Sequence, residues 1–163
     1  MNTKTKYKKS AAVKELEALA MQAARETHPT IPDHVLAPRV YRDDKANNLT
    51  KCIIHWIRLN GFQAERVSVT GRYVDKSRVV TNIIGQQHRI GSRQWIPSTM
   101  QKGSADISAT IECQSVKIEI KIGRDRQSEA QQNYQKQIEA AGGIYLIARN
   151  FTEFMNWYKS FIQ

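Results

Sequence analysis

Three observations predict an α/β fold for this chain. Helical and period-two apolar patterns alternate along the sequence. The last strand-like run, Ile144-Tyr145-Leu146-Ile147-Ala148, lies between two helix-like runs. The order after residue 47 reads helix, three strands, helix, strand, helix. Such an order is satisfied by a central mixed sheet flanked by helices, preceded here by an N-terminal helical extension. At 163 residues the chain is long enough for a core that needs no disulfide. Residues 1–40 read as a basic arm, a helix and a linker, and residues 41–163 as the main domain.

The elements follow in order. Lys4, Lys6, Lys8 and Lys9 make a basic arm. Ala11 to Glu26 is a predicted helix striped by Val13, Leu16, Leu19, Ala20 and Ala23, able to pack on the domain or on a second subunit. His28 to Pro38 is a proline-containing linker, with His28 and His34 expected at the surface. From Asn47 to Asn60, Leu49, Cys52, Ile53, Trp56 and Ile57 keep helical spacing, and Gly61 supplies the stop. Gln63 to Thr70 reads as the first strand. Within 73–101, Val79-Val80-Thr81-Asn82-Ile83-Ile84 reads as an extra strand, hairpinned with Gln94-Trp95-Ile96 through Gly85 to Gly91. Ala105 to Ile111 and Val116 to Ile122 alternate with period two. Their polar faces carry Asp106, Ser108 and Thr110 on one strand and Lys117, Glu119 and Lys121 on the other. Ser128, three residues before Gln131, forms a capping box opening a helix that Gly142-Gly143 ends. Gln131, Tyr134, Ile138 and Ala141 should face the sheet. Ile144 to Ala148 is apolar enough for burial on both faces. Asn150 and Glu153 cap a final helix with a wide apolar face from Phe151 to Ile162.

Composition narrows the function. The net charge of +10 favours a polyanionic partner. From Arg66 to Lys102 seven Lys or Arg stand against Asp75 alone, a local +6, which makes the 73–101 insertion a candidate nucleic-acid flap. Trp95 is either core or a platform for base stacking. Cys52 and Cys113 have no metal-ligand spacing, and idle thiols suit a reducing, cytoplasmic setting. No run is apolar enough for a membrane span, and no nucleotide-binding glycine fingerprint or internal repeat occurs.

The chemistry gathers between Gly103 and Gln131. Adjacent strands would bring Asp106 and Glu119 together, and a carboxylate pair with a lysine two residues past one of them suits a hard divalent cation and a phosphate substrate. On ordinary grounds the same charges are also what the solvent face of a sheet carries. Asp106 with Glu119-Ile120-Lys121 resembles the Asp…Glu-x-Lys signature of the PD-(D/E)xK nuclease superfamily, with Gly103-Ser104-Ala105-Asp106 in place of Pro-Asp. The run Glu119 to Gln131, ending Ser128-Glu129-Ala130-Gln131, is similar to the virus-type replication-repair nuclease (VRR-NUC) group. The resemblance covers roughly Asn47 to Phe161.

That resemblance implies a restriction-endonuclease-like αβββαβ core and a magnesium-dependent deoxyribonuclease, with manganese able to substitute. It places the enzyme in phage or bacterial DNA replication, repair or recombination. It implies that Asp106, Glu119 and the carbonyl of Ile120 hold the metal, while Lys121 and Gln131 position the attacking water and the phosphate. Arg72, Arg78, Arg89, Arg93, Lys102 and Ser128 would contact DNA. The group's first helix often opens with a glutamate at the metal. Here Asn47 and Asn48 stand there, which keeps open a second reading, a catalytically inactive nuclease-fold protein that binds DNA. A homodimer also stays open.

Overall fold

The computed structural model of the protein describes residues 7–68 and 70–163. Lys4 and Lys6 of the basic arm, and Val69 at the end of the predicted first strand, lie outside the described residues. Among the described residues four helices surround a four-stranded mixed sheet: α1 (Ala11–Thr27), α2 (Ala46–Leu59), α3 (Glu129–Ala140) and α4 (Phe151–Phe161). The sheet holds β1 (Gln63–Arg66), β6 (Ile107–Ile111), β7 (Gln114–Ile120) and β8 (Ile144–Ala148) in the order β1-β6-β7-β8. The first three strands run antiparallel to their neighbours, and β8 returns through α3 to lie parallel to β7. Between β1 and β6 an arm carries β2 (Arg72–Asp75), β3 (Arg78–Thr81), β4 (Gln87–Ile90) and β5 (Arg93–Ile96).

One face of the sheet is closed by α1, α2 and α4. Leu49, Cys52, Ile53, Trp56 and Ile57 of α2 are buried, as their spacing predicts, against Ile107, Ile111, Val116 and Ile118 of the sheet and Phe151, Phe154 and Tyr158 of α4. The N-terminal helix belongs to this same core. Val13 and Leu16 are fully buried, Ser10 caps the helix through Val13 N, and Lys159 of α4 pairs with Glu15. Asp43 also ties the start of the domain to its end, accepting from the Tyr7 hydroxyl at 2.7 Å and from Phe151 N at 3.3 Å. Among the described residues no helix is long and apolar enough to cross a membrane.

Several predicted boundaries move, each for a local reason. β1 stops at Arg66 because its partner β6 begins opposite it, and Val67 N closes the pairing on the Asp106 carbonyl at 2.8 Å. β7 starts at Gln114 because Glu112 and Cys113 turn the chain with positive φ, and Lys121 N bonds the Ala148 carbonyl just beyond its end. The predicted hairpin partner is wrong. Val79 and its neighbours pair with Gln87–Ile90, while Gln94-Trp95-Ile96 pairs with Arg72–Asp75, so one hairpin nests inside another. Asn82 forces the tight inner turn, and Gly91, at φ +97°, turns the chain back into the outer pair. β8 is not buried on both faces. It is the outermost strand, and Ile144 to Ile147 are only half-buried beside α3. Ala141 caps α3 at the surface, whereas Gln131, Tyr134 and Ile138 turn inward as expected.

Candidate active site

The site forms where β6 begins and β7 ends. Asp106 immediately precedes β6, and its Oδ2 accepts the Ile120 N–H at 2.9 Å, which locks one carboxylate onto the backbone next to Glu119. The approach to Asp106 explains the glycine in Gly103-Ser104-Ala105-Asp106. Gly103 takes φ +87° and lies against the Ala130 carbonyl in the first turn of α3, where any Cβ would collide. Ser104 is buried and donates to the Gln101 carbonyl at 2.7 Å, and Ala105 is buried. This loop thus fixes Asp106 and the start of α3 to each other.

Glu119 and Lys121 are 3% and 5% exposed, and among the described residues they are the only charged side chains that are buried. Period two predicts a solvent face for them. Instead the side chains of Gln131 from α3 and Tyr145 from β8 reach Glu119 on that face. Lys121 Nζ lies 3.2 Å from Glu119 Oε1 and 3.4 Å from Asp125 Oδ2 in the following loop. Gln131 donates its amide N–H to Glu119 Oε1 and accepts the Ser128 N–H at 2.9 Å, while Ser128 Oγ accepts from Gln131 N. The capping box is therefore present, and one side chain both starts α3 and aims the Glu119 carboxylate. Its side-chain partner on the sheet is Glu119.

Burial, and after it the Asp106 carboxylate, push Glu119 up to about 7, against the pull of Lys121 and Tyr145. Tyr145 reaches Glu119 Oε2 at 3.5 Å, and burial followed by the Glu119 charge raises its own hydroxyl. Sequence reasoning passed over Tyr145 and Asp125. The one signal for Tyr145 was a phenol inside an otherwise aliphatic strand.

The donor set fits a small hard cation. Two carboxylates share one corner, and the Asp106 charge adds to burial in raising Glu119. Among the described residues no cluster of three His, Cys, Asp or Glu side chains exists, so a metal here would rely on the carboxylate pair, the Ile120 carbonyl, water and substrate oxygen. The amides of α2 are otherwise engaged: Asn47 Oδ1 accepts from Arg66 at 2.8 Å, and Asn48 donates to Asp44 at 3.0 Å.

Arg72, Arg78, Arg89, Arg93 and Lys102 are all exposed. Arg89 leans on the Ser77 hydroxyl at 2.9 Å and on Asp75 at 3.7 Å. The other four form no ion pair among the described residues. Trp95 is half-exposed and meets Tyr73 edge-on, with ring centroids 4.8 Å apart. A cavity of about 370 Å³ separates this aromatic stem of the arm from Lys102 and Gly103. No known family model and no curated protein matches this chain.

Proposed function

We propose that the protein is a metal-dependent nuclease that hydrolyses DNA phosphodiester bonds on a restriction-endonuclease-like αβββαβ scaffold. One observation carries the reading: the only buried charged side chains among the described residues, Glu119 and Lys121, lie beside Asp106 at one end of the sheet. Burying charge is expensive, and removing either partner leaves the other uncompensated. A sheet that needed only stability would hold apolar residues at those two positions. The Asp…Glu-x-Lys resemblance, the Ser128–Gln131 capping box and the exposed arginines of the arm support the same reading.

In this proposal Asp106, Glu119 and the Ile120 carbonyl hold magnesium or manganese, which supplies positive charge to the phosphate and lowers the cost of forming the nucleophile. The protein's own residues do the rest. Lys121, paired with Glu119 Oε1 at 3.2 Å, would offer an ammonium to the attacking water and to charge developing on the phosphate oxygens. Water adds to phosphorus and gives up a proton to solvent, the ester P–O bond breaks, and the departing oxygen takes a proton from solvent. Gln131 is a positioning residue that keeps the Glu119 carboxylate in one orientation. The arm's arginines hold the backbone on either side.

The test is cleavage of branched, nicked and linear DNA with magnesium or manganese, with Asp106→Asn as the control. Metal-dependent cutting lost in that variant supports the proposal. DNA binding without cutting on every substrate would sink it and favour the binding-only reading, for which the amides at Asn47 and Asn48 are the specific support.

A further inference from the structure

The arm carries apolar side chains on its outside. Ile83 is fully exposed and Ile84 mostly so, and Val79, Val80 and Ile90 on the strands behind them are exposed as well. All eight residues of β3 and β4 are open to solvent. An isolated two-stranded hairpin is marginal in water, and apolar surface gathered at one tip marks a place where something binds. The tip is not slack. Asn82 Oδ1 accepts from Gln86 N at 2.8 Å and Ile84 N at 3.2 Å, and Asn82 Nδ2 donates to Gln86 Oε1 at 3.2 Å. Backbone bonds from Asn82 N to the Gln86 carbonyl and from Gly85 N to the Asn82 carbonyl close the turn. Ile83 and Ile84 are thus presented by a pinned turn at the far end of the arm.

The residues behind the tip indicate its occupant. Arg78 stands opposite Ile90 and Arg89 opposite Val79, with Arg72 and Arg93 on the stem. Apolar and guanidinium groups are therefore interleaved along the arm, on a chain of net charge +10. A second copy would bring a like-charged arm against this one. Nucleic acid supplies both complements, phosphates for the arginines and the apolar space between stacked bases for the isoleucines.

We propose that the tip is a wedge, with Ile83 and Ile84 entering between adjacent bases and unstacking one step while Arg78, Arg89 and Arg93 hold the flanking phosphates. The inference rests on the reading of the Asp106–Glu119 site as one that acts on DNA, and adds that the DNA is kinked or opened at the arm.

The test uses the full chain in a metal chelator, so that nothing is cut, and DNA carrying 2-aminopurine at successive steps of branched and linear duplexes. Binding should raise the fluorescence at one step. Ile83→Ser/Ile84→Ser should lose that rise and bind about tenfold more weakly, with an unchanged salt slope, since no phosphate contact is removed. Ile83→Leu/Ile84→Leu should keep both the rise and the affinity. Three results overturn the wedge: no rise at any step, a rise undiminished in the serine variant, or a wild-type dimer that the serine variant dissociates, which would give the tip to a second copy. A preserved fluorescence rise with no cleavage in magnesium would sink the nuclease reading while the wedge stands.

Discussion

The end of the central sheet and the tip of the arm break the usual partition of residues in opposite directions. At the sheet, Glu119 and Lys121 put charge where the surrounding core holds Ile118 and Ile120. At the arm, Ile83 and Ile84 put apolar side chains where a hairpin of this composition would otherwise hold Lys or Asp. Each arrangement costs the free protein stability, through desolvation in the first case and exposed apolar surface in the second. Each is also pinned by a local amide: Gln131 holds Glu119, and Asn82 holds the turn beneath Ile83. If the protein acts on DNA as proposed, both departures would find their complement in one molecule, a duplex with phosphates outside and stacked bases within.

The largest effects expected lie at the sheet. Asp106→Asn keeps the shape of the side chain and removes one of two charges, so cleavage should be abolished while circular dichroism and thermal unfolding remain close to wild type. Lys121→Ala should still bind magnesium, yet lose about two to three orders of magnitude in turnover, the scale of one positioned group at a developing charge. Titrating magnesium against cleavage for both variants checks this. Full cleavage by Asp106→Asn at saturating magnesium would rule out the mechanism.

Next in size is a pH effect on the metal-free protein. Glu119 is raised from an ordinary 4.5 to about 7, so its protonated form is the one that folding favours. The stability it contributes is fully present below about 4.5 and is lost as pH rises through 7, by up to about 3 kcal/mol for a shift of this size. Urea denaturation in chelator across that window should show wild-type stability falling, and Glu119→Gln should flatten the fall. An equal slope in both would mean that Glu119 is ionised throughout. Since a metal must displace the same proton, magnesium affinity should rise across the same window.

The arm predicts a smaller and different signature. Arg89→Ala/Arg93→Ala should lower the log–log salt slope of DNA binding by up to about 1.8, at about 0.9 per phosphate contact. Arg93 should account for more of it, because Arg89 already leans on Asp75 at 3.7 Å. An unchanged slope would remove the arm from the DNA interface and leave the comparison with only its buried half.

Local signals carried most of what could be read in advance. The spacing of Leu49, Cys52, Ile53, Trp56 and Ile57, the Ser128–Gln131 box and the Asn150 cap each act within one or two helical turns, and each stands in the structure. The meeting of Asp106 with Glu119 was legible for the same reason, because a two-residue turn makes β6 and β7 neighbours. Their burial was not. Period two says which side chains share a face, and only α3 and Tyr145, arriving later in the chain, decide that this face is covered. The pairing within the arm was also hidden. Four short strands in which every residue but Val74 is exposed have no continuous inward face to set their register, so the choice fell to the hydrogen bonds of Asn82. Ile144 to Ala148 misled in the other direction: an apolar run suggests a central strand, but no further strand exists among the described residues to flank it.

The smallest effect separates geometry from resemblance at α2. If a carboxylate at position 47 completed the site directly, Asn47→Glu would tighten magnesium binding substantially. The amide already accepts from Arg66 at 2.8 Å, and Arg66 sits on β1 opposite Ile107, one residue from Asp106. A glutamate introduced there meets that guanidinium first, in an exposed pair of the kind worth about 0 to 1 kcal/mol, and most of its charge is neutralised before it reaches a cation. Asn47→Glu alone should therefore improve the magnesium dissociation constant by less than about fivefold, and Asn47→Glu/Arg66→Ala should improve it more, because the competing cation is gone. Magnesium titration of the two variants decides between them. A tenfold gain from the single substitution would show that position 47 faces the carboxylate pair whatever Arg66 does. No gain from either would place the start of α2 outside the site and leave the cation to Asp106 and Glu119.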